Sequence, residues 1–258
     1  VSPRPVALVT GASSGLGEHF ARQLAAAGHD LVLVARTVDA LDRLAAELRD
    51  SHRATAEVLP ADLADRAQLD KVAARIAAGD VTTVVNNAGF GFYGPVASHS
   101  RAQELGMVDV DVAAVVALTH AALGVMVPRG QGRILNVASV AAFAATPDSA
   151  TYSAAKAFVL MFTEAIHDEV APSGVHVSVL CPGFTRTNFQ ANAGLEATGL
   201  PGFVWADAED VVRAGLAALE RNQAVCVPGW VNKLTAATPR FSPRPITRRV
   251  ANLVMKRL

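Results

Sequence analysis

Cysteine is scarce in this chain: Cys181 and Cys226 are the only two among 258 residues. They form no CxxC pair and no spaced framework. A disulfide scaffold is therefore excluded, and two inert core thiols in a reducing, cytoplasmic compartment are expected. Aromatic residues make up only 5%, with two tyrosines and two tryptophans. Charged residues are sparse at 18% against 51% hydrophobic, so a large buried core is expected and disorder is not. The formal net charge is zero, which argues against a nucleic-acid-binding domain. The longest run without charge, Val112 to Val127, has 16 residues; it is short for a bilayer span and reads as a buried helix. No basic stretch followed by an apolar one opens the sequence, so no signal peptide is expected there. There is no repeat and no low-complexity tract. No His, Cys and Asp cluster has metal-ligand spacing, so no metal is expected. No GxSxG elbow accompanies His120 or His167, which are expected to be core or interface residues.

Acidic residues are also missing from the end of the chain. None follows Glu220, whereas eight basic residues do. The first 220 residues hold 23 acidic and 15 basic side chains. The segment "PITRRVANLVMKRL" (245–258) sets Ile246, Val250, Leu253 and Val254 along one face. Such a basic amphipathic segment fits a peripheral membrane contact. It equally fits a helix capping a substrate cleft, or a subunit contact.

What is present is an alternation of short apolar runs with alanine-rich amphipathic ones. Strands are expected in 6–11, 30–36, 54–63, 81–89, 132–139, 175–183 and 224–229. Helices are expected over 17–28, 38–50, 66–79, 105–125, 151–171 and near 207–221. Apolar strands without polar alternation imply a parallel sheet covered on both faces, hence a single α/β domain over residues 1–230. Residues 231–258 form a basic C-terminal extension. The stretch 188–205, rich in glycine and bulky apolar groups, fits a lid.

"TGASSGLG" (10–17) joins the first strand to the first helix. Gly11 permits a tight turn, Gly15 lets backbone approach a pyrophosphate, and Gly17 lets the helix pack on the sheet. The amides of Ser13, Ser14 and Leu16 would then face phosphates at the helix end. This predicts a Rossmann-like, doubly wound sheet of about seven strands. At the end of strand two, an acid would hold the 2′-hydroxyl of NAD. Ala35 and Arg36 stand there instead, so NADP(H) is favoured over NAD(H).

The TGxxxGxG spacing resembles the short-chain dehydrogenase/reductase family, and the resemblance runs from residue 6 to about 230. It implies that Ser13 joins Arg36 at the 2′-phosphate, and that Asp62 and Leu63 of "ADL" meet the adenine. Asn87, Ala88 and Gly89 of "NNAG" would support the sheet and line the cofactor. Pro182, Gly183, Thr185 and Thr187 of "PGFTRT" would clamp the nicotinamide carboxamide. "TYSAAK" sets Tyr152 and Lys156 on one helix face. The resemblance assigns Tyr152 as general acid/base, Lys156 as the charge lowering its pKa, and Ser139 as the hydrogen bond to the substrate oxygen. Tyr152 and Lys156 would also touch the cofactor. The implied activity is hydride transfer between a nicotinamide and a carbonyl or alcohol. The implied assembly is a homodimer or homotetramer packed through the two long helices. A catalytically silent NADP(H)-binding sensor or scaffold is the alternative.

Residues expected near the substrate are apolar: Phe90, Phe92, Tyr93, Phe143 and Phe189, with Leu195, Leu200, Phe203 and Trp205 in the lid. A hydrophobic ketone or secondary alcohol is favoured over an anionic substrate. In "GMVDVDVAAVVALTH" (106–120), helical spacing places Val108, Val112, Val115 and Thr119 together and sets Asp109 and Asp111 on different sides. Where Asp111 stands, the family usually has an asparagine that holds a water next to the active-site lysine. Asp111 is thus expected to complete the catalytic set in altered form, facing Lys156, with Asp109 solvated.

Overall fold

In the computed structural model, residues 3–194 and 201–241 are described. Seven strands form one parallel sheet: β1 (Val6–Thr10), β2 (Asp30–Ala35), β3 (Ala56–Pro60), β4 (Val81–Asn86), β5 (Gly132–Val137), β6 (Val175–Leu180) and β7 (Val225–Cys226). Their order is β3-β2-β1-β4-β5-β6-β7, with every pairing parallel. The order reverses between β1 and β4, so a crevice opens beyond the carboxyl ends of those two strands.

The strands are mostly apolar because both faces are covered. Ala7 and Val9 of β1 face one core cluster, and Leu8 faces the other. On the first face lie α1 (Gly15–Ala26), α2 (Val38–His52) and α8 (Ala208–Glu220), through Phe20, Leu41, Leu48 and Val212. On the second lie α3 (Arg66–Ala77), α5 (Val115–Met126) and α6 (Ala150–Val170), through Val72, Leu118 and Ile166. Each such buried side chain contributes roughly 1.5–3 kcal/mol of transfer free energy.

The helix expected over 105–125 is longer and less regular. It begins as α4 (Arg101–Val108), started by a reciprocal cap between Ser100 and Gln103. It widens into a π-helical turn, Asp109–Ala114, before continuing as α5. Of the residues set at helical spacing, Val108 is 38% exposed, whereas Val115 and Thr119 are buried. The buried stripe runs through Met107, Val110, Asp111, Ala114, Val115, Leu118 and Thr119. Over 101–129 this helix is long and apolar enough to cross a membrane, yet 44% of its most apolar window is buried inside the protein.

The last strand is shorter than expected, two residues rather than the six of 224–229. Past Gly229, the chain enters a helix, α9 (Trp230–Phe241), whose Asn232 and Ala236 are buried. A short helix, α7 (Phe189–Asn192), starts the expected lid. Leu195, Leu200 and the segment 245–258 lie outside the described residues.

Candidate active site

The glycine loop and the end of β4 are built as one unit. The Thr10 hydroxyl accepts the N–H groups of Asn87 (3.0 Å) and Ala88 (2.9 Å). Asn87 Nδ2 donates to the Thr10 carbonyl at 2.9 Å. Gly11 adopts φ +67°, and a Cβ on it would lie 2.9 Å from Ala88 Cα. A Cβ on Gly17 would overlap the Gly11 carbonyl, so helix α1 approaches the loop as only glycine allows. Above the loop, Thr187 lies 3.4 Å from where a Gly15 Cβ would sit. Ser13 is half-buried, and Ser14 is the exposed N-cap of α1 whose side chain makes no cap hydrogen bond. This leaves a concave strip of backbone at a helix start, with room that any larger residue would fill. The strip fits a pyrophosphate in size and polarity.

The flanking residues are placed as follows. Arg36 is exposed just past β2 and makes no ion pair among the described residues. Asp62 is half-buried, with Oδ1 accepting the Ala64 N–H at 3.0 Å. Leu63 turns its side chain into the core. The Thr185 hydroxyl donates to the Gly183 carbonyl at 3.0 Å, and the Thr187 hydroxyl accepts the Phe189 N–H at 3.3 Å. Pro182 accepts the Val140 N–H at 2.9 Å, tying this segment to the end of β5. Asn232 of α9 presses on Gly183 so closely that a Cβ there would overlap its amide.

Ser139, Tyr152, Lys156 and Asp111 converge at the carboxyl ends of β4, β5 and β6. Ser139 follows β5; its Oγ accepts the Ala141 N–H at 3.2 Å and its side chain hydrogen-bonds Tyr152. Lys156 Nζ donates to the Val137 carbonyl at 3.2 Å and lies 5.6 Å from the centre of the Tyr152 ring. It also lies 3.2 Å from Asp111 Oδ2, with both side chains buried. Asp111 Oδ1 accepts the Phe90 N–H at 3.0 Å. A Cβ on Gly89 would come within 2.9 Å of Asp111 Oδ1 and 3.0 Å of Lys156 Nζ. Asp109 lies on the outer side, paired with Arg66 at 3.4 Å.

Burial pushes the Tyr152 phenol above its ordinary value; the Lys156 charge and the Ser139 hydrogen bond pull it back, and Asp111 pushes it up again. The net direction is upward. Lys156 lowers it, as expected of that charge, but the cost of burying a phenolate outweighs the lowering. Burial also pushes Asp111 upward, against the attraction of Lys156. For Lys156, burial favours the neutral amine, but Asp111 and Tyr152 overcome it and hold the ammonium.

Aromatic residues gather beside this set. The Phe189 ring is 5.6 Å from that of Tyr152, and Gly91 backbone lies against the Tyr152 ring. Phe90 and Phe92 pack edge to face at 5.6 Å. The Tyr93 N–H donates to Ala193 at 2.9 Å, joining its loop to the turn after α7. Phe143 is half-buried and packs against a core cluster with Val159 and Leu160. Phe203 is exposed, and Trp205 packs on Phe184 at 5.7 Å, with Arg186 over its ring.

Sequence reasoning missed three supports. Asn86 Nδ2 donates to Asn136 Oδ1 (2.8 Å) and Thr119 Oγ1 (3.1 Å), and Asn136 Nδ2 donates to Thr163 Oγ1 (3.0 Å). This fully buried network bolts β4, β5, α5 and α6 together beneath the site. Its only sequence signal is amide and hydroxyl residues inside apolar runs. Thr151, the neighbour of Tyr152, and His99, 2.7 Å from Glu104 Oε1, hold the Glu104 carboxyl below its ordinary value. Asn232 is the third. Elsewhere, a shallow depression at the amino ends of the strands is lined by His29, Thr83 and Arg133, with Arg133 already paired to Glu220.

The comparisons with known proteins agree with this geometry. The family model for short chain dehydrogenases matches residues 5–197. A very-long-chain 3-oxoacyl-CoA reductase of Anas platyrhynchos is 30% identical over 97% of this chain and 78% of its own length. Other curated relatives run longer, the chain spanning 60% of their length. A short-chain dehydrogenase from Sphingobium yanoikuyae in complex with NADPH superposes with a TM-score of 0.84 at 36% identity, covering 88% of each chain. The bulky-bulky ketone specific alcohol dehydrogenase from Comamonas testosteroni gives 0.80 at 31% identity, covering 92% of this chain and 93% of its own. A glycine loop at the sheet's switch point, the convergent Ser139, Tyr152 and Lys156, and matches along most of the sequence lead to one conclusion: the chain belongs to the short chain dehydrogenase family and is an oxidoreductase by kinship.

Proposed function

We propose that this protein is an NADP(H)-dependent oxidoreductase acting on hydrophobic ketones or secondary alcohols. The observation carrying this is the convergence of Ser139, Tyr152 and Lys156 beside an aromatic wall. Gly11, Ser13, Ser14, Gly15, Leu16 and Gly17 would hold the pyrophosphate, and Asp62 and Leu63 the adenine end. Ala88, Gly89, Pro182, Gly183, Thr185 and Thr187 would border the nicotinamide, which supplies or accepts the hydride when bound. Ser139 hydrogen-bonds the substrate oxygen. Tyr152 gives its proton to that oxygen in reduction and takes it back in oxidation. Lys156 keeps a positive charge beside the phenol. Phe90, Phe92, Tyr93 and Phe189 exclude water and receive apolar substituents.

Arg36 supports the choice of NADP(H), because an exposed guanidinium with no internal partner suits a 2′-phosphate. Arg36→Asp should lower kcat/KM for NADPH by about tenfold to a hundredfold and improve that for NADH. Initial rates with both cofactors and a panel of bulky ketones measure this. An unchanged cofactor ratio would remove Arg36 from the site. The names of the ketone-specific and NADPH-bound neighbours support the same reading by kinship.

A homo-oligomer is part of this proposal. Leu105 on α4, and Phe158 and Met161 on α6, are exposed large apolar side chains on neighbouring helices. Such a patch suits a two-fold contact between copies. Met161→Glu should lower the mass seen by light scattering. A mass already monomeric in the parent would end the idea.

A further inference from the structure

Asp111 is the one acidic group at the buried centre of the site, and its surroundings are specific. Its Oδ2 sits 3.2 Å from Lys156 Nζ, while its Oδ1 takes the Phe90 N–H at 3.0 Å. Gly89 closes the remaining side, where a Cβ would strike both partners. The π-helical turn Asp109–Ala114 is the backbone feature that carries it into this position. On the other side of Lys156, the ammonium lies 5.6 Å from the Tyr152 ring centre. One cation therefore stands between a carboxylate and a phenol. In a site this dry, the contact at 3.2 Å outweighs the longer one.

We propose that Asp111 is a counter-charge that withholds the Lys156 ammonium from Tyr152, so that Tyr152 stays a protonated phenol and serves as proton donor up to alkaline pH. The proposal rests on Tyr152 being the acid of the reaction. Asp111 reaches no reacting atom in this arrangement; it acts through Lys156 and is a positioning residue. Its effect is on pH dependence. The enzyme keeps its reductive rate at higher pH than an unopposed Lys156 would allow, and oxidation needs a more alkaline medium. The overall equilibrium between ketone and alcohol is untouched, since a catalyst alters both directions together.

The other groups facing Tyr152 cannot substitute for Asp111. Cys181, just past β6, is buried and its thiol is pushed far upward, so it stays neutral. Ser139 offers a hydroxyl with no charge, and Phe189 an apolar ring. Among the described residues, the full charges acting on Tyr152 are those of Lys156 and Asp111. Removing Asp111 leaves the phenolate as the natural partner for the ammonium.

The test uses the fact that Tyr93 and Tyr152 are the only tyrosines. In a Tyr93→Phe background, the ultraviolet absorbance of phenolate reports Tyr152 alone, with no cofactor and no turnover. Circular dichroism at each pH checks that the chain remains folded. Asp111→Asn is expected to move the midpoint about one to three pH units lower. The double variant Asp111→Asn, Lys156→Met, which removes both charges together, should bring it back at least half of the way. A single-variant midpoint within about half a pH unit of the background, or above it, overturns the proposal. So does a double variant that stays as low as the single one. Should the single variant not fold, the charge-neutral double variant and the background decide: a double-variant midpoint more than about one unit above the background means that Lys156 was never withheld. In the holoenzyme, the alkaline limb of ketone reduction should move to lower pH in Asp111→Asn. The titration is independent of turnover, so a protein that reduces no ketone would refute the catalytic role and leave the charge coupling measurable.

Discussion

Tyr152→Phe is expected to reduce ketone turnover on the order of 10²–10⁴-fold while NADPH still binds. In the proposed mechanism the phenol gives its proton to a substrate oxygen, with Ser139 and the Lys156 ammonium beside it. The ring itself is held by Phe189 and by Gly91 backbone, contacts that phenylalanine preserves. The loss should therefore appear in kcat rather than in the fold or in cofactor affinity. NADPH oxidation over a panel of hydrophobic ketones, beside a fluorescence titration of NADPH, separates the two. Retained turnover would dismiss Tyr152 as the proton donor. Tight NADPH binding by the parent with no turnover on any ketone would favour the sensor or scaffold instead.

Lys156→Met is expected to be the most destabilising change in the site. It leaves Asp111 as a buried carboxylate with no counter-charge, at a cost of about 3–5 kcal/mol. The corresponding fall in Tm is on the order of 10 °C. The penalty depends on pH with a definite sign. Without the ammonium, burial raises the folded-state pKa of Asp111 above its unfolded value. The folded state then binds the extra proton, so the variant is least impaired in acid and loses stability as pH rises through that raised pKa. Adding Asp111→Asn should restore most of the loss at neutral pH, because a neutral amide in the same space needs no partner ion. Thermal melts of parent, single and double variants across the pH range measure this. Equal instability of the single and double variants would show that methionine at 156 harms packing rather than charge balance.

Much of this site is local in origin, which is why the sequence betrays it. The glycine loop is contiguous, and its demands fall on Gly11, Gly15 and Gly17 within one strand-to-helix turn. Tyr152 and Lys156 lie one helical turn apart, so a period of 3.6 residues brings them together. Both faces of the sheet are covered, so strands β1 to β6 are mostly apolar, with a few polar residues such as Asn136 and Ser178 among them. The last, Val225–Cys226, is a two-residue edge whose extent depends on its single neighbour, β6.

Other parts depend on elements far apart in the chain. The widened turn at Asp109–Ala114 is invisible to a regular helical wheel, and across it Val108 and Val115, which share a helical spacing, differ in exposure. Asn86, Thr119, Asn136 and Thr163 look like chance polar residues until four elements pack around them. Glu104 and Asn232 acquire partners only when the loops they brace are in place.

By itself, then, the sequence determined the order of elements, the covered parallel sheet, the tight glycine turn after β1 and the placing of Tyr152 and Lys156 on one helix face, because those follow from short-range periodicity and glycine sterics. Tertiary structure alone decided how those groups are charged. Asp111, Lys156 and Tyr152 affect one another across a few ångströms of dry interior. Electrostatic coupling falls with distance and with solvent, and neither can be read along a chain.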